Sequence, residues 1–568
     1  MKDETVADHA RLAILVLRRG LRGLDRAVRR PVRVLAARRC RVPDRLIIAP
    51  QDIRTADPTA AHDVYSGYFA FDGKAVNTRG ASPFEVEPPS EAWAAALAGF
   101  GWLRHLRAAD TALSRVNARA LVGDWIIGRG RDGAAPGWQP EVVARRLLSW
   151  LSQAPLILEG VDGVFYRLFT RSLARQADAL LAAVDRGLAG LPRLTAAVAL
   201  CELSLCAEGL GRLQRRASRL LVEELGRQIL PDGGHASRNP QALLDLLLDL
   251  LPLRQSYAAR DLRPPAALLD AIDRMIAMVR RLRHGDGALA LFNGMGTTHP
   301  DVLATVLAYE EARGFLPSEA GPSGYLRVDA GRATLIVDAG PPPDPAFAAS
   351  AHAGTLAFEL SHGAQQIVVN CGAPAVAQAA ARDASRATAA HSTLVLGDRS
   401  SSRFARFGPL RGVLYAGPRR VSVERPANAD DALTLSHDGY ARSAGYLHLR
   451  RLRLSPDGLR LDGEDRLGAA PGARPKPLGF ALRFHLHPAL RPVPARRGAA
   501  VLITCPDGGR WLFEAGGLPV AVEESISFAQ AEGPRRTEQV VLHGQVPDLS
   551  AVAWSLSRVD GDDNLTET

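Results

Sequence analysis

Lysine is nearly absent from this chain. Of its 70 basic residues only Lys2, Lys74 and Lys476 are lysines, so the formal charge of +10 is carried by arginine. Arginine forks suit carboxylates and sulfates, and a basic balance admits nucleic acid, anionic lipid or acidic polysaccharide as partner. No nucleic-acid recognition module accompanies the charge, and basic and aromatic residues are not interleaved, which disfavours a specific nucleic-acid role. Cysteine is scarce too. Cys40, Cys201, Cys206, Cys371 and Cys505 form neither a Cys-x-x-Cys pair nor a disulfide framework, and their apolar surroundings predict buried small side chains. Long apolar runs are also missing: Leu12 to Leu17 is far shorter than a membrane span, and Arg18 and Arg19 interrupt it. With no convincing signal peptide or transmembrane helix, the expected location is cytoplasmic or cell-envelope-associated.

What is present is a chain of 568 residues, 47% apolar and 23% charged, enough for two or three globular domains. Residues 1–47 read as a basic helical segment with Leu17, Leu21 and Leu24 along one face, suited to packing or to peripheral membrane or envelope contact. Residues 48–314 read as a helical domain. Apolar residues recur every three or four positions through 140–155, 162–190, 193–211, 214–228, 240–251 and 262–283, with short connections that favour antiparallel helix pairs. After a Gly- and Pro-rich stretch at 314–323 the period becomes two, as in Tyr325 to Ala330, and strand-like runs continue from 333–337 to 538–543. Turns such as Pro456-Asp457-Gly458 separate them. Residues 315–568 are therefore expected to form a β-sandwich, and the whole chain an α+β multidomain protein.

The polar residues with chemical promise fall into three groups. Asp232-Gly233-Gly234-His235-Ala236-Ser237-Arg238-Asn239-Pro240 places an imidazole in a glycine-rich turn between apolar helices. With Arg238 and Asn239 beside it, His235 could meet a carboxylate and move a proton; equally, these residues could cap helices and form an ion pair. His352 and His391 border predicted strands that a sandwich could bring together, with Asn370 able to orient a histidine or water. Two histidines and an amide are compatible with a structural zinc or with a hydrogen-bonded cluster. His437-Asp438-Gly439-Tyr440 joins an imidazole and a phenol at a turn. His485 and His487 share a strand face and are read as structural.

Gly101-Trp102-Leu103-Arg104-His105-Leu106-Arg107, Asp232 to Pro240, Ala351 to Glu359, Ile367 to Gly372 and His437 to Tyr440 together resemble the heparinase II/III family. The resemblance implies an incomplete (α/α) toroid followed by an antiparallel β-sandwich, with a polysaccharide groove between them. It also implies β-elimination from uronate-containing acidic glycans, in which the carboxylate is neutralised, a base takes the C5 proton and an acid protonates the departing O4. His235 matches the position that contacts the uronate carboxylate. His352 and His391 match metal-associated histidines, and Asn370 stands where an aspartate ligand can occur. Ser350 and Gly354 replace the first histidine and the acid of the family's His-x-His-x-Asp pattern. No tyrosine appears in 287–296, where the family's phenol is expected. Base and acid are left among Tyr440, His391 and His437, with Tyr257 or Tyr440 as the substitute phenol. The expected function is a polysaccharide lyase, the alternative a noncatalytic acidic-glycan-binding or envelope-associated protein. No cofactor is required.

Overall fold

Apolar residues at helical spacing fold the first half of the protein into a succession of antiparallel helices. A computed structural model describes residues 40–130, 136–309, 321–375, 378–405, 410–425 and 432–559. The amphipathic pattern at Leu17 to Leu24 lies outside the described residues.

A short helix α1 (Ala60–Tyr65) and a hairpin, β1 (Tyr68–Phe71) with β2 (Lys74–Asn77), precede the main helices. These are α2 (Glu91–Gly99), α3 (Leu103–Ala109), α4 (Ala112–Gly128), α5 (Pro140–Ser152), α6 (Ala154–Leu158), α7 (Gly163–Asp185), α8 (Leu191–Cys206), α9 (Gly211–Gln228), α10 (Pro240–Ala259), α11 (Ala266–Arg281) and α12 (Pro300–Ala308). Local chemistry sets several starts. Asp162 accepts the Val164 and Phe165 amides to open α7, and Asn239 accepts the Gln241 amide to open α10, with Pro240 in its first turn. Every residue of α8 from Leu194 to Cys206 is buried, so α8 is a central helix surrounded by α5, α9 and α10. The apolar run at 240–251 predicts an end near Leu251, yet α10 continues through Pro252 to Ala259. Pro252, Leu253, Ser256 and Tyr257 are all buried, and their packing outweighs the backbone hydrogen bond that proline removes.

The second half forms two antiparallel sheets packed face to face. One has the order β18 (Ala521–Ser527), β19 (Arg535–Val546), β14 (Leu478–Leu486), β6 (Gln365–Val369), β5 (Phe358–His362), β4 (Ala333–Asp338), β3 (Tyr325–Ala330), with β7 (Leu394–Leu396) also on β14. The other has the order β10 (Val421–Glu424), β11 (Ala432–His437), β12 (Tyr446–Leu454), β13 (Arg460–Ala469), β20 (Ala551–Val559), β17 (Arg510–Glu514), β16 (Ala500–Thr504), β15 (Arg491–Ala495). A two-stranded ribbon, β8 (Arg403–Phe404) with β9 (Leu414–Ala416), stands apart from both. Neither sheet closes into a barrel. Phe358 and Phe484 from the first sheet meet Phe513 and Trp554 from the second, and Phe358 stacks on Trp554 at 5.7 Å.

β20 and the full length of β13 escape the alternation pattern. Gly463 in β13 explains part of this: a Cβ there would lie 2.1 Å from the Trp554 ring, so the strand gives up a side chain to seat the indole. The outer face of the first sheet joins the helices. Tyr325, Ile336 and Ala357 belong to the helical core, and Phe292 stacks on Tyr325 at 5.5 Å.

Candidate functional site

The glycine-rich turn after α9 is a clamp between helices and sandwich. Gly233, at φ 87°, comes so close to α11 that a Cβ would lie 1.9 Å from the Arg274 carbonyl. The tight approach aims Asp232 and Arg238 across the seam. Asp232 accepts the Ser323 amide and hydroxyl at 2.9 and 2.6 Å. Arg238 forms an ion pair with Asp338 and donates to the carbonyls of Ser323, Gly340 and Pro341. Tyr325 donates its hydroxyl to the Arg238 carbonyl.

His235 is 1% exposed. Its Nδ1 accepts the Ser237 amide at 3.1 Å, so the proton sits on Nε2 and is donated to Gln228 Oε1, also at 3.1 Å. Gln228 continues to Glu224 and the Gly190 carbonyl. Burial lowers the His235 pKa to about 4, so the ring is neutral at pH 7. The expectation that His235, Arg238 and Asn239 meet a carboxylate is corrected on geometry. Both ring nitrogens are engaged, the guanidinium is matched by Asp338, and Asn239 caps α10.

His352 and His391 do converge. His391 Nδ1 donates to the Ala387 carbonyl at 2.8 Å, which leaves its Nε2 to accept from His352 Nδ1 at 3.1 Å. His352 Nε2 takes no hydrogen bond from another described residue. Burial lowers both rings' pKa values; for His352 the charges of His391, Arg386 and Arg382 add to the effect. Asn370 does not complete a metal site. Its nitrogen donates to Glu359 at 2.9 Å and its oxygen accepts the Ser392 amide at 2.9 Å. Among the described residues no three His, Cys, Asp or Glu side chains converge as a metal would require. The residues present do not fit a zinc ion, which needs further strong ligands beside two imidazoles.

His437 and Tyr440 lie inside the sandwich, behind this pair. Tyr440 is 1% exposed and donates its hydroxyl to the Leu394 carbonyl at 2.8 Å. His437 Nδ1 accepts the Gly439 amide, so its Nε2 carries the proton and donates to His448 Nδ1 at 3.3 Å. His448 in turn donates to Asp465, which also receives Arg450 and the Trp554 indole. Arg450 donates onward to the Leu356 and Ser392 carbonyls, so this buried network supports the segments that hold His352 and His391. Neither His437 nor Tyr440 is placed to act as base or acid on a bound chain. Tyr257 is no nearer: eighteen residues along α10 from Asn239, it stands about 27 Å away at the helical rise of about 1.5 Å per residue.

Sequence reasoning passed over three residues at the seam. Asn293 occupies the interval where a tyrosine is expected; it accepts the His352 amide and donates to the Tyr325 hydroxyl and Asp338. Its position between Phe292 and Gly294, in an otherwise apolar stretch, was the available signal. Arg382 and Arg386 stand four residues apart on one face of a short helix, α13 (Ala379–Ser385), and its end. Arg386 donates to the Ala351, Gly412 and Ala348 carbonyls, and exposed Arg382 to the Ala349 carbonyl. Neither forms an ion pair among the described residues, although the charge of Asp383 acts on Arg386. Burial and the charge of Arg382 lower Arg386 to about 10, which leaves it protonated at pH 7.

A cavity of about 740 Å³ opens among α3, α5, α10 and the β1–β2 hairpin. Leu191 and Pro192, directly after Gly190, are among its lining residues.

Residues 313–555 match the family model described as heparinase II/III-like, C-terminal. The fold is similar to a heparan sulfate lyase HepC mutant from Pedobacter heparinus, with TM-score 0.63 and 17% identity over 98% of this chain and 89% of that one. A heparinase III structure aligns with TM-score 0.67 and 13% identity over 87% of this chain and 81% of that one. FtsZ-localized protein C from Caulobacter vibrioides is 33% identical over 539 residues, 91% of each chain. The chain belongs to the heparinase II/III-like family.

Proposed function

We propose that this protein binds an acidic polysaccharide at the seam between helices and sandwich and does not cleave it by β-elimination. One observation carries the reading: exposed Arg382 presents a guanidinium bonded to a neutral carbonyl, with buried Arg386 behind it and His352 within reach of both charges, while Asp383 offsets part of the charge on Arg386. Guanidiniums so placed favour a uronate carboxylate or a sulfate. Elimination needs in addition an acid for the leaving oxygen. The phenols near the seam are engaged within the protein, Tyr325 with the Arg238 carbonyl and Tyr440 with the Leu394 carbonyl.

Calorimetric titration with defined uronate-containing glycans, read together with ultraviolet absorbance of the unsaturated product, tests both halves. Binding without product is expected. No binding by folded protein across the panel overturns the reading, and product formation overturns its noncatalytic half. One arrangement favours a lyase instead: the His391 bond leaves His352 Nε2 as a lone-pair nitrogen able to take a proton. Product lost in His352→Ala would establish that second reading. The relative's name also supports a proposal on place, that this chain localises with FtsZ, which microscopy of a fluorescent fusion tests. Among the described residues no helix is long and apolar enough to cross a membrane.

A further inference from the structure

Arg145 and Arg146 are neighbours on α5, and the helix turns them to different surroundings. Arg145 lines the 740 Å³ cavity and grips Asp249 at 2.7 and 2.9 Å, whereas Arg146 is 0% exposed, inside the helical layer. Its Nε donates to Gln176 Oε1 at 3.0 Å and its Nη1 to the Ala98 and Gly137 carbonyls at 2.9 and 2.8 Å. No carboxylate answers its charge. Arg146 forms no ion pair among the described residues, and burial is what acts on its pKa. The Trp125 and Trp138 rings flank the guanidinium, whose carbon lies 3.8 and 5.4 Å from their centroids. Ring faces attract a cation without neutralising it. A guanidinium keeps its proton inside a protein, so a buried one calls for a counter-ion.

The hydrogen bonds point the same way. Arg146 Nη2, Gln176 Nε2, Ser172 Oγ and Trp150 Nε1 are all buried and take no hydrogen-bond partner among the described residues. They lie where α5 packs on α7. Arg146 and Trp150 stand one turn apart on α5, and Ser172 and Gln176 one turn apart on α7. The Arg146–Gln176 bond joins the helices at one end of this layer, and Trp150 stacks on Phe169 at 5.3 Å at the other. Because Gln176 Oε1 is fixed as the acceptor for Arg146, its amide nitrogen is a donor. Three of the four atoms only donate, and the hydroxyl is able to. A water among them needs acceptors for its own protons; an anion needs none.

A small ion also has a way in. A cavity of about 130 Å³ touches Ala98, Gly137, Trp125 and Trp138, the residues that hold and flank the guanidinium. Its lining contains Arg129 and no carboxylate.

We infer that a monovalent anion of halide size binds between α5 and α7 on Arg146 Nη2, Gln176 Nε2 and Ser172 Oγ, with the Trp150 indole N–H beside them. The ion neutralises the buried guanidinium and ties the two helices together. This site is separate from the seam and from the 740 Å³ cavity, and it does not depend on the glycan reading.

The test follows thermal unfolding of the full chain at fixed ionic strength while gluconate is exchanged for chloride or bromide. The midpoint is expected to rise with halide and to level off, because an ion held only by the folded state stabilises that state. Gln176→Leu keeps most of the side-chain volume and removes one donor; its half-saturating halide concentration is expected to be about tenfold higher or more. Arg146→Met is expected to abolish the halide dependence, and Ser172→Ala serves beside Gln176→Leu should Arg146→Met fail to fold. Crystals soaked in bromide are expected to show an anomalous peak between Arg146 and Gln176. A midpoint indifferent to halide overturns the inference. So does a half-saturation that both Gln176→Leu and Ser172→Ala leave unchanged, or a bromide-soaked crystal with only water at Arg146.

Discussion

The seam and the helical cavity use their polar groups in different ways. At the seam the polar side chains are consumed by the protein itself: Arg238 by Asp338, His235 by Gln228 and Ser237, Tyr325 by the Arg238 carbonyl. On the Arg382 and Arg386 side the guanidiniums are bonded to carbonyls and form no ion pair among the described residues, with Asp383 offsetting part of the charge on Arg386. In the cavity Asp63, Glu141 and Asp245 form no ion pair among the described residues, and Arg104 is bonded to carbonyls, so groups of both signs line it. A motif that reads as catalytic is spent on a clamp between helices and sandwich.

The contrast is broken most severely at the clamp. Arg238→Ala strands Asp338 in the interior and removes bonds to three carbonyls. A loss of about 3–5 kcal/mol is expected from urea unfolding, as for other buried pairs left with one partner. Asp245→Asn in the cavity should change stability by no more than about 0.5 kcal/mol. Similar losses for the two would erase the distinction.

Acid reads the same clamp. The His235 pKa falls from 6.5 to about 4 on folding, so the folded state resists a proton that the unfolded state accepts. Its contribution is full above pH 6.5 and is lost as the pH falls towards 4, about 3 kcal/mol in all at about 1.4 kcal/mol per pKa unit. Unfolding free energies measured across that window should decline less steeply in His235→Gln than in the parent. Parallel curves would mean that His235 is not held neutral.

Smaller effects test the sandwich wall. Arg382→Gln should weaken binding of a uronate oligosaccharide about tenfold, about 1.4 kcal/mol, with unfolding unchanged within about 0.5 kcal/mol. Raising salt from 0.05 to 0.2 M, as an illustrative range of roughly fourfold in ionic strength, should weaken parental binding severalfold and the variant's less, because Arg382 is exposed and its field is screened.

The helix-to-strand switch was legible because it rests on periodicity, which tertiary contacts seldom reverse over long segments. Most of β13 was illegible because Gly463 and charged residues break its alternation, and the reason for that glycine is Trp554 of β20, far away in the chain. The site was legible only as a set of residues. His352 and His391 are in contact with each other, whereas His235, His437 and Tyr440 are turned inward by bonds to Gln228, His448 and the Leu394 carbonyl. Such bonds depend on three-dimensional neighbours. Arg382 and Arg386 stood out even less, among many arginines, since what sets them apart is the set of backbone carbonyls that the fold brings to them.

The most direct measurement is a single-turnover experiment, with protein in excess over a uronate-containing oligosaccharide, followed by NMR for the vinylic proton of a C4–C5 unsaturated uronate. The expected result is ligand that is bound and recovered intact, with the Arg382→Gln protein failing to hold it at the same concentration. Appearance of the vinylic signal, abolished in His352→Ala, would contradict binding without elimination.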